Sequence, residues 1–225
     1  AGHILGSAVV VLDVEENGSQ KRILFSGDLG RVGLPLLRDP QVVEGVDYLI
    51  IESTYGNRLH DPIELVDEEL EEVVLSTYRQ GGKVIVPAFA VGRTQELVYA
   101  LHRLERARKL PELPIFVDSP LAVNVTEVFR LHPECYDEET RAFMNAGNGH
   151  DPFGFRRLSY VRSVEQSKDL NFMREPAIII SASGMAEAGR ILHHLKNNVE
   201  DARNTVLIVG WQAPHTLGRR LVERQ

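Results

Sequence analysis

Four predicted strands of this chain end in short loops whose residues could bind an anion. The loops run from Pro87 to Thr94, from Asp118 to Pro120, from Ser181 to Met185 and from Gly210 to Gln212. Small residues, hydroxyls and glycines just before a helix expose backbone N–H groups, and these groups attract negative charge. Several such loops at one edge of a sheet would suit phosphate groups better than an apolar ligand. The alternative is that Gly and Ser only make tight strand-to-helix turns.

Three ionisable residues lie at the edges of other predicted strands. His3 comes just before an apolar segment, Asp28 follows the strand Ile23–Phe25, and Glu52 follows the apolar run Leu49–Ile51. An acidic side chain at the end of a buried strand is costly unless something pairs with it. We therefore treat these three residues as one candidate functional site. Each also has a structural interpretation, as a turn histidine, an Asx turn and a turn cap respectively.

The predicted elements place these residues at strand ends. Asn17-Gly18 predicts a hairpin between strands Val9–Val14 and Arg22–Ser26, and Tyr48–Ile51 is the next strand. After His60 helices and strands alternate, which predicts an α/β fold with a parallel sheet covered by helices on both faces. Its strands are Lys83–Val86, Ile115–Val117, Ala177–Ile180 and Thr205–Val209, and its helices are Asp61–Gln80, Arg93–Lys109, Leu121–Leu131, Tyr136–Asn145, Ser163–Leu170, Ala188–Lys196 and Thr216–Arg224. Ligands of such sheets bind at the carboxyl ends of the strands.

Composition narrows the classes of function. The formal charge of −7 does not suggest a generic polyanion binder, although a local basic patch can outweigh it. Cys135 is the single cysteine, so no intrachain disulfide forms, and a reducing, cytoplasmic setting is expected. No apolar run reaches transmembrane length, and no membrane partner is expected. A glycine-rich dinucleotide fingerprint and a Walker A sequence are both absent, so a nucleotide cofactor is not supported.

Three stretches carry a resemblance to a known family. Ala1–Ala8 resembles the third metal-ligand motif of the metallo-β-lactamase superfamily, and Ser26–Gly30 resembles its fourth. Glu52–Gly56 resembles the first signature of the β-CASP branch, which comprises nucleases of RNA processing and DNA repair. Further stretches look like the RNA-processing subgroup, and the similarity covers essentially the whole chain. They are Pro87–Arg93, Asp118–Ala122, Ser183–Met185 and Gly189–Leu192.

The resemblance implies a particular domain organisation. Residues 1–57 would be a slice of a metallo-β-lactamase αββα domain, residues 58–210 an inserted β-CASP domain with a parallel, Rossmann-like sheet, and residues 211–225 a return towards the first domain. The superfamily's defining motif His-x-His-x-Asp-His and the branch's two later histidine motifs do not occur in the sequence. We therefore expect a central fragment of a longer nuclease.

The resemblance also implies residue roles. His3 and Asp28 would be metal ligands, with Asp28 bridging two zinc ions, and imidazole and carboxylate are standard zinc ligands. Glu52 would orient a catalytic histidine outside this chain, so Asp28 and Glu52 are the expected catalytic residues. The residues expected to contact the phosphates of single-stranded RNA are Arg93, Ser119, Ser183, Gly184 and Arg190.

The implied function is that of a zinc-dependent ribonuclease, cutting internally, from the 5′ end, or both. Two zinc ions can hold a hydroxide and clamp both sides of a phosphoryl displacement. One His and one Asp cannot close a zinc site, so the isolated chain is expected to bind no stoichiometric zinc and to cleave nothing. The alternatives are a non-catalytic RNA-binding scaffold and another metallo-β-lactamase-fold hydrolase, such as a thioester hydrolase. A homodimer of the parent protein is left open.

Overall fold

The computed structural model describes residues 1–60, 62–146 and 151–224. Its first sheet has three strands, β1 (Val10–Glu16), β2 (Ser19–Phe25) and β3 (Tyr48–Ile50). β1 and β2 pair antiparallel around Asn17-Gly18, where both residues have positive φ as a two-residue hairpin turn requires. β3 adds to β2 in parallel. The predicted hairpin and third strand are thus confirmed.

The second sheet has five parallel strands in the order β6-β5-β7-β4-β8. Because the strands are parallel, their carboxyl ends meet at one edge, which we call the rim. Strand β6 was not predicted, since it has only three residues and no apolar run. The strands are β4 (Val84–Pro87), β5 (Ile115–Val117), β6 (Leu158–Tyr160), β7 (Ile178–Ser181) and β8 (Thr205–Val206).

In the part of the chain that the structure describes, seven α-helices and two 3₁₀ turns connect and cover the strands. The predicted helix starting near Asp61 begins with a 3₁₀ turn at Ile63–Leu65, and Asp61 as its N-cap lies outside the described residues. A second 3₁₀ turn is at Pro133–Cys135. The helices are α1 (Val66–Arg79), α2 (Arg93–Arg106), α3 (Pro120–Leu131), α4 (Glu138–Asn145), α5 (Val164–Phe172), α6 (Ile191–Asn198) and α7 (Leu217–Glu223).

Alternate residues of the central strands enter two separate apolar clusters. Val84 and Val86 of β4 face a cluster that includes residues of α1, α2 and α3. Ile85, between them, packs in a second cluster with residues of α5, α6 and α7. Side chains of a strand alternate between its faces, so helices cover both faces of this sheet. The predicted fold class, an α/β fold with a parallel sheet flanked by helices, is confirmed.

Local details differ from the predictions at element ends. Ser163 and Gln166 have the spacing of a capping box, which predicts Ser163 as the N-cap of α5. Ser163 does cap α5, because its Oγ accepts a hydrogen bond from the Gln166 N–H at 3.1 Å. The helix predicted from Tyr136 begins two residues later at Glu138, since Asp137 accepts from the Thr140 N–H and caps it. The glycine-rich segment from Asn145 to Arg157, which contains Pro152, predicts a long surface loop, and residues 147–150 of it lie outside the described part.

The three-stranded sheet leaves much apolar surface exposed. Tyr48–Ile51 was expected to be a buried strand, but Leu49 and Ile50 are 57% and 54% exposed. Val10 in the neighbouring hairpin is 50% exposed. The expectation of burial was wrong for this chain because no layer of described residues covers these positions. Among the described helices, none is long and apolar enough to cross a membrane.

Candidate functional site

His3 lies in a turn that packs against the loop after β2. The Ser7 hydroxyl oxygen accepts hydrogen bonds from the N–H groups of His3 and Ile4, at 3.1 and 3.3 Å. The Gly30 N–H donates to the Ala1 carbonyl at 2.9 Å. A Cβ on Gly30 would lie 1.9 Å from the Gly2 carbonyl oxygen, so only glycine permits this close approach. His3 itself is exposed.

Glu52 is held by backbone donors at the ends of β2 and β3. Its carboxylate accepts from the Leu29 N–H at 3.0 Å and from the Thr54 N–H at 3.2 Å. Its own N–H donates to Ser26 Oγ at 3.1 Å. The hydrogen bonds from Leu29 and Thr54 lower the pKa of Glu52 against its partial burial, and His3 adds a smaller effect in the same direction. Glu52 is thus an anchored, ionised carboxylate.

The turn containing His3 reaches the rim of the five-stranded sheet. A Cβ on Gly92 would lie 2.6 Å from Ile4 Cγ2, so Ile4 packs directly against the N-cap of α2. Arg93 follows, and its Nη1 is 2.6 Å from Glu96 Oε2. Burial raises the pKa of Glu96, while Arg93 and His3 oppose that rise. His3 therefore acts electrostatically on Glu52 on one side and on Glu96 on the other.

The donors at this place suit zinc in kind but not in number. His3 and Asp28 are both exposed, and Asp28 directly precedes Leu29, which binds Glu52. A structural or catalytic zinc takes three or four protein ligands. Within residues 1–60, 62–146 and 151–224, no group of three or more His, Cys, Asp or Glu side chains could hold a metal ion. The described residues therefore do not close a metal site by themselves.

A buried glutamine joins two of the rim loops. Gln95 Oε1 accepts from the Gly92 N–H at 2.9 Å, and its Nε2 donates to the Ala90 carbonyl at 3.2 Å and to Thr126 Oγ1 at 3.0 Å. Gln95 is fully buried. Because Thr126 belongs to α3, the loop after β4 is fixed to the element that follows β5.

The predicted phosphate contacts Ser119, Ser183 and Gly184 all lie at the rim. Ser119 is buried and caps α3, since its Oγ accepts from the Ala122 N–H at 3.2 Å. Ser183 Oγ accepts from the N–H groups of Glu187 and Ala188, at 3.2 and 3.3 Å. The Gly184 carbonyl accepts from Gln212 Nε2 at 3.0 Å. The hydroxyls of these serines thus organise their own loops.

Arg190 points towards a buried carboxylate at the same rim. Its Nη1 is 2.6 Å from Asp118 Oδ1, and its Nη2 donates to the Arg162 carbonyl at 2.7 Å. The other oxygen of Asp118 accepts from His194 Nε2 at 2.6 Å and from Ser167 Oγ at 2.5 Å. Burial opposes ionisation of Asp118, but the hydrogen bonds from His194, Ser167 and Arg190 outweigh it and lower its pKa.

Sequence reasoning missed this Asp118 centre. His193 and His194 are neighbours on a helix, which predicts that they face different directions and are poorly placed as a ligand pair. His194 is buried and His193 is exposed, as this predicts, but a role for His194 with Asp118 was not foreseen. A usable signal was present, since Asp118 follows the apolar strand Ile115–Val117 as Asp28 and Glu52 follow theirs. His102 lies on a predicted helix with Arg103, Arg106, Arg108 and Lys109, which indicates a solvated basic face. In the structure the ring of His102 is buried against Phe155, with ring centroids 4.8 Å apart.

Comparison with known proteins places these features in a family. The family model described as the Beta-Casp domain matches residues 94–221, which include α2 to α7 and strands β5 to β8. The chain is 38% identical over 224 residues to Ribonuclease TTHA0252 of Thermus thermophilus, covering 100% of this chain and 50% of that protein. It is 36% identical to an RNase J-like protein of Methanocaldococcus jannaschii, covering 99% of this chain and 50% of the relative.

A third relative, less similar in sequence, is a transcription termination factor by name. The Transcription termination factor FttA of Methanosarcina mazei is 33% identical over 225 residues, covering 98% of this chain and 34% of that protein. The chain thus spans about half the length of the first two relatives and a third of this one. Since the family model matches more than half of the chain, from Thr94 to Leu221, the chain belongs to the Beta-Casp domain family.

Proposed function

We propose that this chain is part of a zinc-dependent ribonuclease that hydrolyses single-stranded RNA at the junction of the His3 turn and the rim. The observation that carries the proposal is the contact of Ile4 with Gly92, directly before Arg93. This contact puts an imidazole and an anchored carboxylate beside a loop suited to phosphates. The names of the relatives, a ribonuclease and an RNase J-like protein, support the same chemistry.

In this proposal His3 and Asp28 each supply one ligand to zinc, and further ligands come from outside the described residues. When bound, zinc would supply a hydroxide nucleophile at neutral pH. Glu52 stays ionised because Leu29 and Thr54 donate to it. The Glu52 carboxylate would then orient the imidazole of a catalytic histidine outside this chain by accepting a hydrogen bond from its ring N–H. Carboxylates commonly orient metal-binding histidines in this way.

The rim holds the RNA backbone in this proposal. Arg93 offers a planar guanidinium to a phosphate. The loop of Ser183 and Gly184 packs against Phe89, four residues before Arg93 in the chain. Ser119 and Arg190, which were also expected to contact phosphate, contribute by fixing their loops, because Ser119 caps α3 and Arg190 binds Asp118. The RNA therefore meets a rigid edge and needs little reorganisation on binding.

We further propose that the three-stranded sheet is a slice of a metallo-β-lactamase domain whose other layers cover it in a longer protein. Two observations support this: the exposed apolar residues Val10, Leu49 and Ile50, and the half-length match to the relatives. The isolated chain, with two metal donors, would then be inactive and would bind less than one zinc ion per molecule.

The test combines zinc content with RNA cleavage. Elemental mass spectrometry of the purified chain should find far less than one zinc per molecule, and a labelled single-stranded RNA should stay intact. A longer protein containing this sequence should bind zinc and cleave that RNA, and Asp28→Ala should abolish cleavage. Stoichiometric zinc in the isolated chain would contradict the incomplete site. Thioester hydrolysis without RNA cleavage, or RNA binding without cleavage, would replace the proposal by one of the two alternatives.

A further inference from the structure

Phe89 is an exposed aromatic residue on a rigid backbone. It follows β4 at the rim, and 45% of its surface is exposed. Its carbonyl accepts two hydrogen bonds from Thr94, from Oγ1 at 2.7 Å and from the N–H at 3.3 Å. The preceding residue, Ala88, donates its N–H to the Ser181 carbonyl at 3.0 Å. The loop therefore presents a large apolar ring to solvent from a fixed position.

The ring of Phe89 rests on the loop after β7. A Cβ on Gly184 would lie 2.6 to 2.9 Å from three carbons of the Phe89 ring, so the ring packs directly on the Gly184 backbone. Gly184 is itself held through its carbonyl by Gln212. One side of the ring is therefore supported by protein, while almost half of the surface of Phe89 stays open to solvent. A supported, open ring is pre-organised to receive a second flat, apolar group.

An exposed arginine in the same loop-to-helix segment as Phe89 indicates which flat group that is. Arg93 lies four residues further along, in the first turn of α2, and its side chain is 39% exposed. The His3 turn contacts Gly92, between Phe89 and Arg93. An exposed ring and an exposed guanidinium on one loop-to-helix segment match a nucleotide, whose base is flat and apolar and whose phosphate is anionic. Base stacking on aromatic side chains with phosphates in a basic groove is the common mode of single-strand binding.

We propose that Phe89 is a stacking platform for one base of the single-stranded RNA whose phosphates meet Arg93. This inference rests on the proposed function, because it requires RNA at this rim. It adds that the base stacks on Phe89 while the phosphate contacts Arg93. Stacking uses the π-face that every base has, so Phe89 should contribute to affinity without selecting a sequence.

The experiment measures binding of a labelled oligoadenylate of about ten nucleotides to the 225-residue chain by fluorescence anisotropy. Phe89→Ala should weaken binding about 5- to 150-fold, the usual effect of losing one stacked base. Phe89→Trp should retain affinity. The matched control is Phe172→Ala, because Phe172 is 81% exposed but ends α5 at the opposite edge of the sheet. Phe172→Ala should leave affinity unchanged.

A second series replaces one nucleotide at a time by an abasic one. The wild-type chain should lose affinity when the stacked base is removed, and Phe89→Ala should lose none at that position, because the contact is already gone. Equal losses in both proteins at every position would overturn the stacking role, as would unchanged affinity of Phe89→Ala. If the wild-type chain binds no RNA, the proposed phosphate-binding rim is wrong together with the stacking role. If it binds RNA and Phe89→Ala changes nothing, only the stacking role is wrong.

Discussion

Asp118 Oδ2 and His194 Nε2 lie 2.6 Å apart, and both side chains are completely buried. An ionised carboxylate only accepts hydrogen bonds, so Nε2 is the donor in this pair. Arg190 binds the other carboxylate oxygen at 2.6 Å, and Ser167 donates to the one facing His194. Asp118, the residue that follows β5, therefore ties α5 and α6 to the rim.

Asp118→Ala should destabilise the fold strongly. The substitution leaves Arg190 without its carboxylate and His194 without an acceptor in a buried place. Removal of one partner from a buried charged pair typically costs about 3–5 kcal/mol. Urea unfolding followed by circular dichroism measures the loss. Asp13→Ala is the control, because Asp13 forms an exposed pair with Arg22 and should change the unfolding free energy far less. A loss below about 1 kcal/mol for Asp118→Ala would show that the pair is not structural.

Gly30→Ala should displace the turn that contains His3. The new Cβ would lie 1.9 Å from the Gly2 carbonyl oxygen, so the two segments must separate. Such overpacking typically costs about 1–3 kcal/mol. The amide hydrogen of residue 30, which donates to Ala1, should also exchange faster with solvent.

Gly210→Ala provides a matched control for this change. A Cβ on Gly210 meets no atom within 4 Å, so both stability and exchange should stay as in the wild type. If Gly30→Ala behaves like Gly210→Ala, the His3 turn is not docked as the structure has it.

The sequence predicted the fold better than the site because the two depend on interactions of different range. Apolar runs and the Asn17-Gly18 turn are local signals, and they located seven of the eight strands seen in the described residues. The strand order of the five-stranded sheet was not predictable, because it depends on where each connecting helix places the next strand in the sheet. The meeting of Ile4 with Gly92 joins positions 88 residues apart, and no local pattern announces it.

The roles of individual polar residues were predictable only in part. Glu52 was recognised because an acidic residue after an apolar run needs a partner, and Leu29 and Thr54 are its partners. Arg190 was expected to face a phosphate because an arginine at the rim suits one. Its guanidinium binds Asp118, a carboxylate 72 residues earlier in the chain. Which anion pairs with such an arginine depends on tertiary contacts, which the local sequence does not show.

His102 should make stability depend on pH below neutrality. Burial lowers the pKa of His102, against a smaller effect of its hydrogen bond to the Pro152 carbonyl. The unfolded chain therefore binds this proton more readily than the folded chain does. Stability is full above the ordinary histidine pKa of about 6.5 and falls as the pH drops below it, by at most about 1.4 kcal/mol per pH unit.

His102→Gln should flatten this dependence, and urea unfolding at several values between about pH 7 and pH 5 measures it. His193→Gln is the control, because His193 is exposed on α6 and should leave the slope unchanged. An equal slope in wild type and His102→Gln would mean that His102 does not carry the effect.

Arg93→Ala should weaken RNA binding through charge alone. Arg93 is exposed enough to exchange its partner Glu96 for a phosphate. One phosphate contact fewer should lower affinity for every sequence alike, and the slope of log affinity against log salt should fall by about 0.7. Anisotropy titrations of the oligoadenylate at several salt concentrations measure both effects. Arg157→Ala is the matched control, since Arg157 pairs with Glu112 just before β6, at the edge opposite the rim, and both affinity and slope should persist. A loss of affinity in Arg93→Ala with an unchanged salt slope would mean that Arg93 shapes the loop and does not contact phosphate.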